Sequence, residues 1–171
     1  TADMLAFFSE HFGPYPFDAY GIVIVDFPRD APLAMETQTL SQHGEEEDAL
    51  SEYIIAHELA HHWFGNSVSL KNWQDIWLKE GAAIYAEWLW LEHKEGGDAL
   101  DAKVRSVYPM EAFSPNPPGN PLSTNLYTNT IYDRSAMTFH ALRLRVGDEV
   151  FFQILQTYTE RFRYGNADTA D

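Results

Sequence analysis

Residues 57–61 read His57-Glu58-Leu59-Ala60-His61, and nineteen positions after His61 comes Glu80, inside Trp77-Leu78-Lys79-Glu80-Gly81-Ala82. Residues four apart on an α-helix lie on one face, one turn apart. Both imidazoles of an H-E-x-x-H pattern can therefore reach one cation, at the roughly 2.0–2.1 Å that zinc–nitrogen bonds require. Glu58 sits one residue from the first histidine. Its carboxylate reaches the open coordination position without ligating the metal, where it can take a proton from a water that attacks a carbonyl. A catalytic zinc needs a third protein ligand and keeps the fourth position open. Glu80 is the candidate. It lies early in the next predicted helix, a short connection lets the two helices pack side by side, and its flanks Trp77, Leu78, Ala82 and Ala83 are apolar.

The surrounding pattern is mostly helical. Residues 3–12 have helical spacing, with Leu5, Phe8 and Phe12 as the expected buried stripe. Gly13-Pro14-Tyr15-Pro16 ends that helix. Ile22-Val23-Ile24-Val25 reads as a strand, and Pro28, Asp30 and Pro32 as a turn. Residues 33–40 alternate apolar and polar around Met35, Glu36 and Thr37 and read as a second extended segment. The acidic run Gly44-Glu45-Glu46-Glu47-Asp48 precedes a helix over 49–64, at the dipole end that favours negative charge. Further helices are expected over about 75–94, 98–107, 133–146 and 148–164. Residues 109–121 contain five prolines and read as an irregular loop, either a lid or a plain connector. Residues after Gly165 read as a polar tail. The fold class is thus α+β, mostly helical, with a small sheet near the N-terminus.

Composition narrows the chemistry. The chain has 171 residues, enough for one domain with a real core, and 45% of them are hydrophobic. It has no cysteine, so any metal is held by His, Asp and Glu rather than thiolates. A chain without thiols is at home inside or outside the cell. The formal net charge is −15; nucleic acid, which needs clustered Lys and Arg, is excluded as a partner. No apolar run reaches the roughly 18 residues of a membrane span.

His57-Glu58-Leu59-Ala60-His61-His62-Trp63-Phe64-Gly65 and Trp77-Leu78-Lys79-Glu80-Gly81-Ala82 together resemble the gluzincin zinc aminopeptidases, related to aminopeptidase N and the leukotriene hydrolase. The resemblance implies a zincin (thermolysin-like) catalytic domain, one Zn2+ per chain held by His57, His61 and Glu80, and Glu58 as general base. Lys79 stands where the family has Asn. Ile131-Tyr132-Asp133-Arg134-Ser135-Ala136 resembles the family segment that carries a catalytic tyrosine. The resemblance therefore assigns Tyr132 a hydrogen bond to the developing oxyanion, and Tyr127 falls where some members have a second tyrosine. Leu33-Ala34-Met35-Glu36-Thr37 resembles the family's exopeptidase motif on an edge strand. There Glu36, with Ala34 and Met35, would bind substrate, its carboxylate facing a peptide's free α-amino group. Leu33 replaces the family's Gly and Thr37 its Asn.

Glu87, seven residues after Glu80, is weighed as a partner that orients a metal ligand. His62 points about 100° around the helix from His61 and reads as structural. The family's proteins carry a β-rich domain before this core and a helical domain after it. The resemblance implies that residues 1–171 are a single catalytic domain from a longer enzyme, with those domains packed on it. The expected function is peptide-bond hydrolysis that removes N-terminal residues. An endopeptidase or an epoxide hydrolase on the same zinc site stays open because of the altered 33–37 segment. A catalytically silent zinc-binding domain stays open as a third reading.

Overall fold

The computed structural model describes residues 1–28, 32–111, 117–124 and 126–171. The element order is α1 (Ala2–Phe12), β1 (Gly21–Ile24), β2 (Ala34–Met35), β3 (Leu40–His43), α2 (Glu52–Ala60), β4 (Val68–Leu70), α3 (Trp77–Glu95), α4 (Gly97–Glu111), α5 (Ser135–Val146), α6 (Asp148–Arg161) and β5 (Gly165–Ala167). Short 3-10 turns precede α2 (Glu47–Leu50) and α3 (Trp73–Asp75), and a π turn (Thr130–Arg134) leads into α5. The α+β, mostly helical reading holds. Among the described residues no helix is long and apolar enough to cross a membrane.

Helices α2 and α3 form the centre, and α1, α5 and α6 pack around them. Their shared core contains Phe8, Phe12, Leu59, Trp63, Tyr85, Trp88 and Phe151. Trp63 is its hinge point. Its ring meets Phe8, Phe12 and Tyr15, and its buried indole N–H donates to the Gly13 carbonyl at 2.9 Å. That bond removes the desolvation penalty of a buried donor and fixes the end of α1 against the end of α2.

Several boundaries differ from the sequence reading. Helix α2 starts at Glu52 rather than 49, because Ser51 takes the N-cap and its Oγ accepts the Ile54 N–H. Residues 47–50 tighten into a 3-10 turn instead. The stripe on α1 is Met4, Phe8 and Phe12, with Leu5 only half-buried. The segment read as one strand over 33–40 is two strands. Thr39, at φ 66, turns the chain between them. The three-stranded sheet has order β1-β3-β2, with β1 parallel and β2 antiparallel to β3. Strand β2 is therefore an edge, paired through Ala34 to His43 and Met35 to Gln42.

Helix α4 runs to Glu111, past the expected end at 107, and carries Pro109 in its last turn. There the missing proline N–H forfeits only the bond to the carbonyl four residues back. The turn expected at Asp30 and the middle of the expected 109–121 loop lie outside the described residues. The polar tail is not a tail. Its Gly165–Ala167 pairs in parallel with β4. Beyond it, Thr169 donates to Asp75 from both its backbone N–H and its hydroxyl, and accepts from the Trp77 indole. Three residues without apolar alternation give no strand signal in sequence; the partner strand, almost a hundred positions away, supplies it.

Gly81 sets how closely α3 approaches α5. A Cβ at that position would lie 2.3 Å from the Ser135 Cβ. Alanine in a helix interior gains at most about 1 kcal/mol over glycine, whereas forcing an extra methyl into a packed interface costs typically 1–3 kcal/mol. We therefore expect Gly81→Ala to be net destabilising, by up to about 2 kcal/mol. A urea titration that placed its unfolding midpoint at or above that of the parent would contradict this account of the α3–α5 crossing.

Candidate metal centre and catalytic cleft

Side-by-side packing of α2 and α3 brings three buried side chains to one point. His57 is in the last turn of α2 and His61 is its C-cap, still in right-handed helical conformation. Glu80 is in the first turn of α3. The Nε2 atoms of His57 and His61 are 3.0 Å apart, and each lies 3.4 Å from Glu80 Oε2. Ligands arranged tetrahedrally at 2.0–2.1 Å from a common centre are about 3.3 Å apart, so the three atoms have the spacing of a zinc face.

The hydrogen bonds behind them fix which nitrogen faces inward. His57 Nδ1 meets Glu87 Oε1 at 2.8 Å. His61 Nδ1 meets the Phe64 carbonyl at 3.0 Å. Both partners are acceptors, so both Nδ1 atoms carry the proton, and both Nε2 lone pairs point at the same place. Two lone pairs 3.0 Å apart repel unless a cation lies between them. The carboxylates around them attract one. Burial alone would lower the pKa of His57, but its hydrogen bonds to Glu80 and Glu87 carry it up to about 10. The field that would hold a proton there favours a metal cation on the same ground. Burial would raise Glu80, yet His61, His57 and Lys79 hold it well below the usual carboxylate range. It is thus an anionic ligand. The donor set fits zinc.

Around this point lies a cleft of about 610 Å³, lined by Ala34, Met35, Glu36, His57, Glu58, His61, Glu80, Tyr132, Tyr127, Trp73 and Lys79 among others. The cleft thus collects every site residue expected from sequence. Glu58 is buried on α2. Burial pushes its carboxyl above the ordinary value, aided by Glu36 and Glu80 and opposed by His61 and His57. Its Oε2 has no hydrogen-bond partner among the described residues, an orphaned buried acceptor beside the metal ligands. Carboxylate oxygens of Glu58 and Glu36 and a ring nitrogen of His61 all lie within 4.8 Å of one another. Tyr132 sits in the π turn, a distortion frequent at functional sites. Its ring centroid is 6.3 Å from that of His57. Burial, then Glu80, raises its hydroxyl pKa, so it is a neutral donor.

Glu36 lies in the segment that follows the edge strand, and two contacts tie that segment to the residues after α2. The Asn66 amide donates to the Glu36 carbonyl at 2.8 Å. His62 Nε2 accepts the Thr39 N–H at 3.1 Å, while its Nδ1 faces the Leu59 carbonyl. Burial drops the His62 pKa to about 4, so the ring is neutral and can accept. The bond helps hold a β-branched residue in the left-handed region, which is otherwise unfavourable.

In sequence Lys79 stands out only as a departure next to the ligand. Its Nζ reaches Glu36 Oε1 at 2.5 Å and Glu80 Oε1 at 2.8 Å. Burial would lower its pKa, but the two carboxylates raise it. Trp73 and Asn66, also on the cleft wall, carry no motif and had no sequence signal.

A family model described as the peptidase family M1 domain matches residues 1–171. Human aminopeptidase N is 33% identical over 191 residues, which cover 97% of this chain and 20% of that protein. The Caenorhabditis elegans puromycin-sensitive aminopeptidase is 37% identical over 133 residues, covering 69% of this chain and 14% of its own length. The chain thus spans about a fifth or less of the curated relatives it matches. Among solved structures, the M1 zinc metallopeptidase from Deinococcus radiodurans superposes with a TM-score of 0.86 at 37% identity, over 99% of this chain and 38% of that one. Leukotriene A4 hydrolase from Saccharomyces cerevisiae shares the fold, at TM-score 0.81 and 20% identity. With a family match over its whole length and a His-His-Glu group of the right spacing, the chain belongs to peptidase family M1, a family of zinc metallopeptidases.

Proposed function

We propose that this chain is the zinc-binding catalytic domain of a longer aminopeptidase, holding one zinc through His57, His61 and Glu80 and cleaving N-terminal residues from peptides. The observation that carries the reading is the convergence of two Nε2 lone pairs and one carboxylate oxygen on one point, with a carboxylate oxygen of Glu58 within 4.8 Å of a His61 ring nitrogen. The aminopeptidase relatives support the reaction class.

Zinc, when bound, lowers the pKa of a water and polarises the scissile carbonyl. Glu58 takes the proton of the attacking water and later returns it to the leaving amine. A carboxyl raised by burial takes the proton more readily than an ordinary glutamate, and a pKa moved toward the working pH suits a group that must first accept a proton and then return it. The Tyr132 hydroxyl, neutral and facing the cleft, donates to the oxygen that becomes negative in the tetrahedral intermediate. Glu36 takes the amino end of the peptide, backed by Ala34 and Met35 on the edge strand. Glu87 and the Phe64 carbonyl hold the two imidazoles in the ligating tautomer.

Four variants test these roles. Elemental analysis should find about one zinc per chain in the parent and none retained after dialysis in Glu80→Ala. Glu58→Gln should keep its zinc and lose at least about 100-fold in kcat; turnover near the parent's would remove Glu58 from the reaction. Tyr132→Phe should lower kcat by about 100-fold with little change in KM, and a change confined to KM would make Tyr132 a binding residue instead. Glu87→Gln should weaken zinc affinity by about 10- to 100-fold in a chelator competition; an unchanged constant would mean that the His57–Glu87 bond does not tune the ligand.

A further inference from the structure

Resting on the peptidase reading above, we propose that Glu36 and Glu58 form a second cation site beside the His57–His61–Glu80 face, weaker than the first, where excess zinc inhibits the enzyme by competing with the amino end of the peptide.

Two separate observations point there. A carboxylate oxygen of Glu36, a carboxylate oxygen of Glu58 and a ring nitrogen of His61 lie within 4.8 Å of one another. Glu58 is also only 6% exposed, and its Oε2 has no partner among the described residues. An ionised carboxylate buried without a partner is strongly unfavourable, so Glu58 gains from any cation that reaches it. Glu36 already attracts one. The Lys79 ammonium lies 2.5 Å from its Oε1, while the Asn66 amide holds its backbone carbonyl.

The second position is distinct from the first. Both His61 nitrogens are committed, Nδ1 to the Phe64 carbonyl and Nε2 to the first face, where it lies 3.4 Å from Glu80 Oε2. A second ion therefore rests on the two carboxylates, with water completing its shell. Carboxylate oxygens bind zinc at about 2.0–2.2 Å. Lys79 can admit the ion without being stranded. Its Nζ also lies 2.8 Å from Glu80 Oε1, and it keeps that oxygen when it leaves Glu36.

Charge sets the order of filling. Four carboxylates, Glu36, Glu58, Glu80 and Glu87, stand around the two positions, and Lys79 brings one ammonium. A single divalent ion leaves this group negative, so a second is still attracted, in a cleft where charges are weakly screened. The second binds less tightly, because it has no imidazole ligand and meets the charge of the first. Once there, it covers the carboxylate that would receive the peptide's α-ammonium and the one that takes the proton from water.

The test is a calorimetric titration of zinc into the full-length protein already carrying one equivalent, with peptide hydrolysis followed over the same zinc concentrations. The parent should show a second, weaker binding event, and zinc in that range should raise KM for a free-amine tetrapeptide with little change in kcat. Glu36→Gln and Glu58→Gln should each retain the first equivalent, which reports an intact fold, and weaken the second event by at least about tenfold, since losing even an outer partner of a metal ligand costs about 10- to 100-fold. Lys79→Met removes the ammonium that competes for Glu36 and should tighten the second event severalfold. A second event that keeps the parent's affinity in all three variants belongs to surface carboxylates and overturns the proposal, as does a parent that takes up one zinc and no more. The expected pattern of second events in a protein that cleaves no peptide would bring down the peptidase reading and leave the cation site standing.

Discussion

The packing of α2 on α3 forces four ionisable side chains, His57, Glu58, His61 and Glu80, into a region with almost no solvent. Burying charges and lone pairs in this way is unfavourable unless each is answered by a partner. Nearly every polar contact near the centre of the molecule is such an answer. Glu87 and the Phe64 carbonyl take the outward nitrogens of the imidazoles. Lys79 takes the outer oxygen of Glu80. What is left unanswered, the two Nε2 lone pairs and Glu80 Oε2, faces one spot, and Glu58, whose Oε2 has no partner among the described residues, lines the same cleft. The apolar framework keeps it so. Trp63 locks the end of α2 to α1, and Gly81 lets α5 close over α3. Without those contacts the helices could separate and each charge could find water.

The edge strand depends on the same helix end. Glu36 directly follows a two-residue strand, Ala34–Met35, that is too short to set its position. Its place comes from Asn66, which holds the Glu36 carbonyl, and from His62, which holds Thr39 in the same segment; both lie in the chain that follows the metal helix. A neutral imidazole is needed for the His62 contact, because its Nε2 must accept the Thr39 N–H. Burial keeps it neutral. The histidine next to a metal ligand therefore works as a backbone clamp, using the acceptor character that a ligand would use on a cation.

Much of this was legible from residue order. The i, i+4 histidines predicted one face, the apolar flanks of Glu80 predicted its burial, and the i+7 spacing from Glu80 pointed to Glu87. The helices followed from 3.6-residue spacing and from glycine and proline stops. What was missed shares a physical cause. Strands β3 and β5 are four and three residues long, and nothing local marks them. Pairing with distant segments makes them strands. The Phe64 carbonyl is a main-chain group and has no residue-type signature. Met4 took the buried place expected for Leu5, a difference of one position in a stripe whose period tolerates either. The 3-10 turn before α2 was hidden because Ser51, a good N-cap, lies inside a run that otherwise reads as helix.

Lys79 belongs to a different category, since its identity was plain and its consequence was not. Sequence showed a lysine beside a ligand. It did not show that the side chain would turn back over Gly65 and join a second carboxylate. The lysine offsets the repulsion between two acids on the cleft wall, at the cost of desolvating its own ammonium. It joins Glu36, in the segment after the edge strand, to Glu80 on α3, so that one contact holds the cleft wall and the outer oxygen of a metal ligand together.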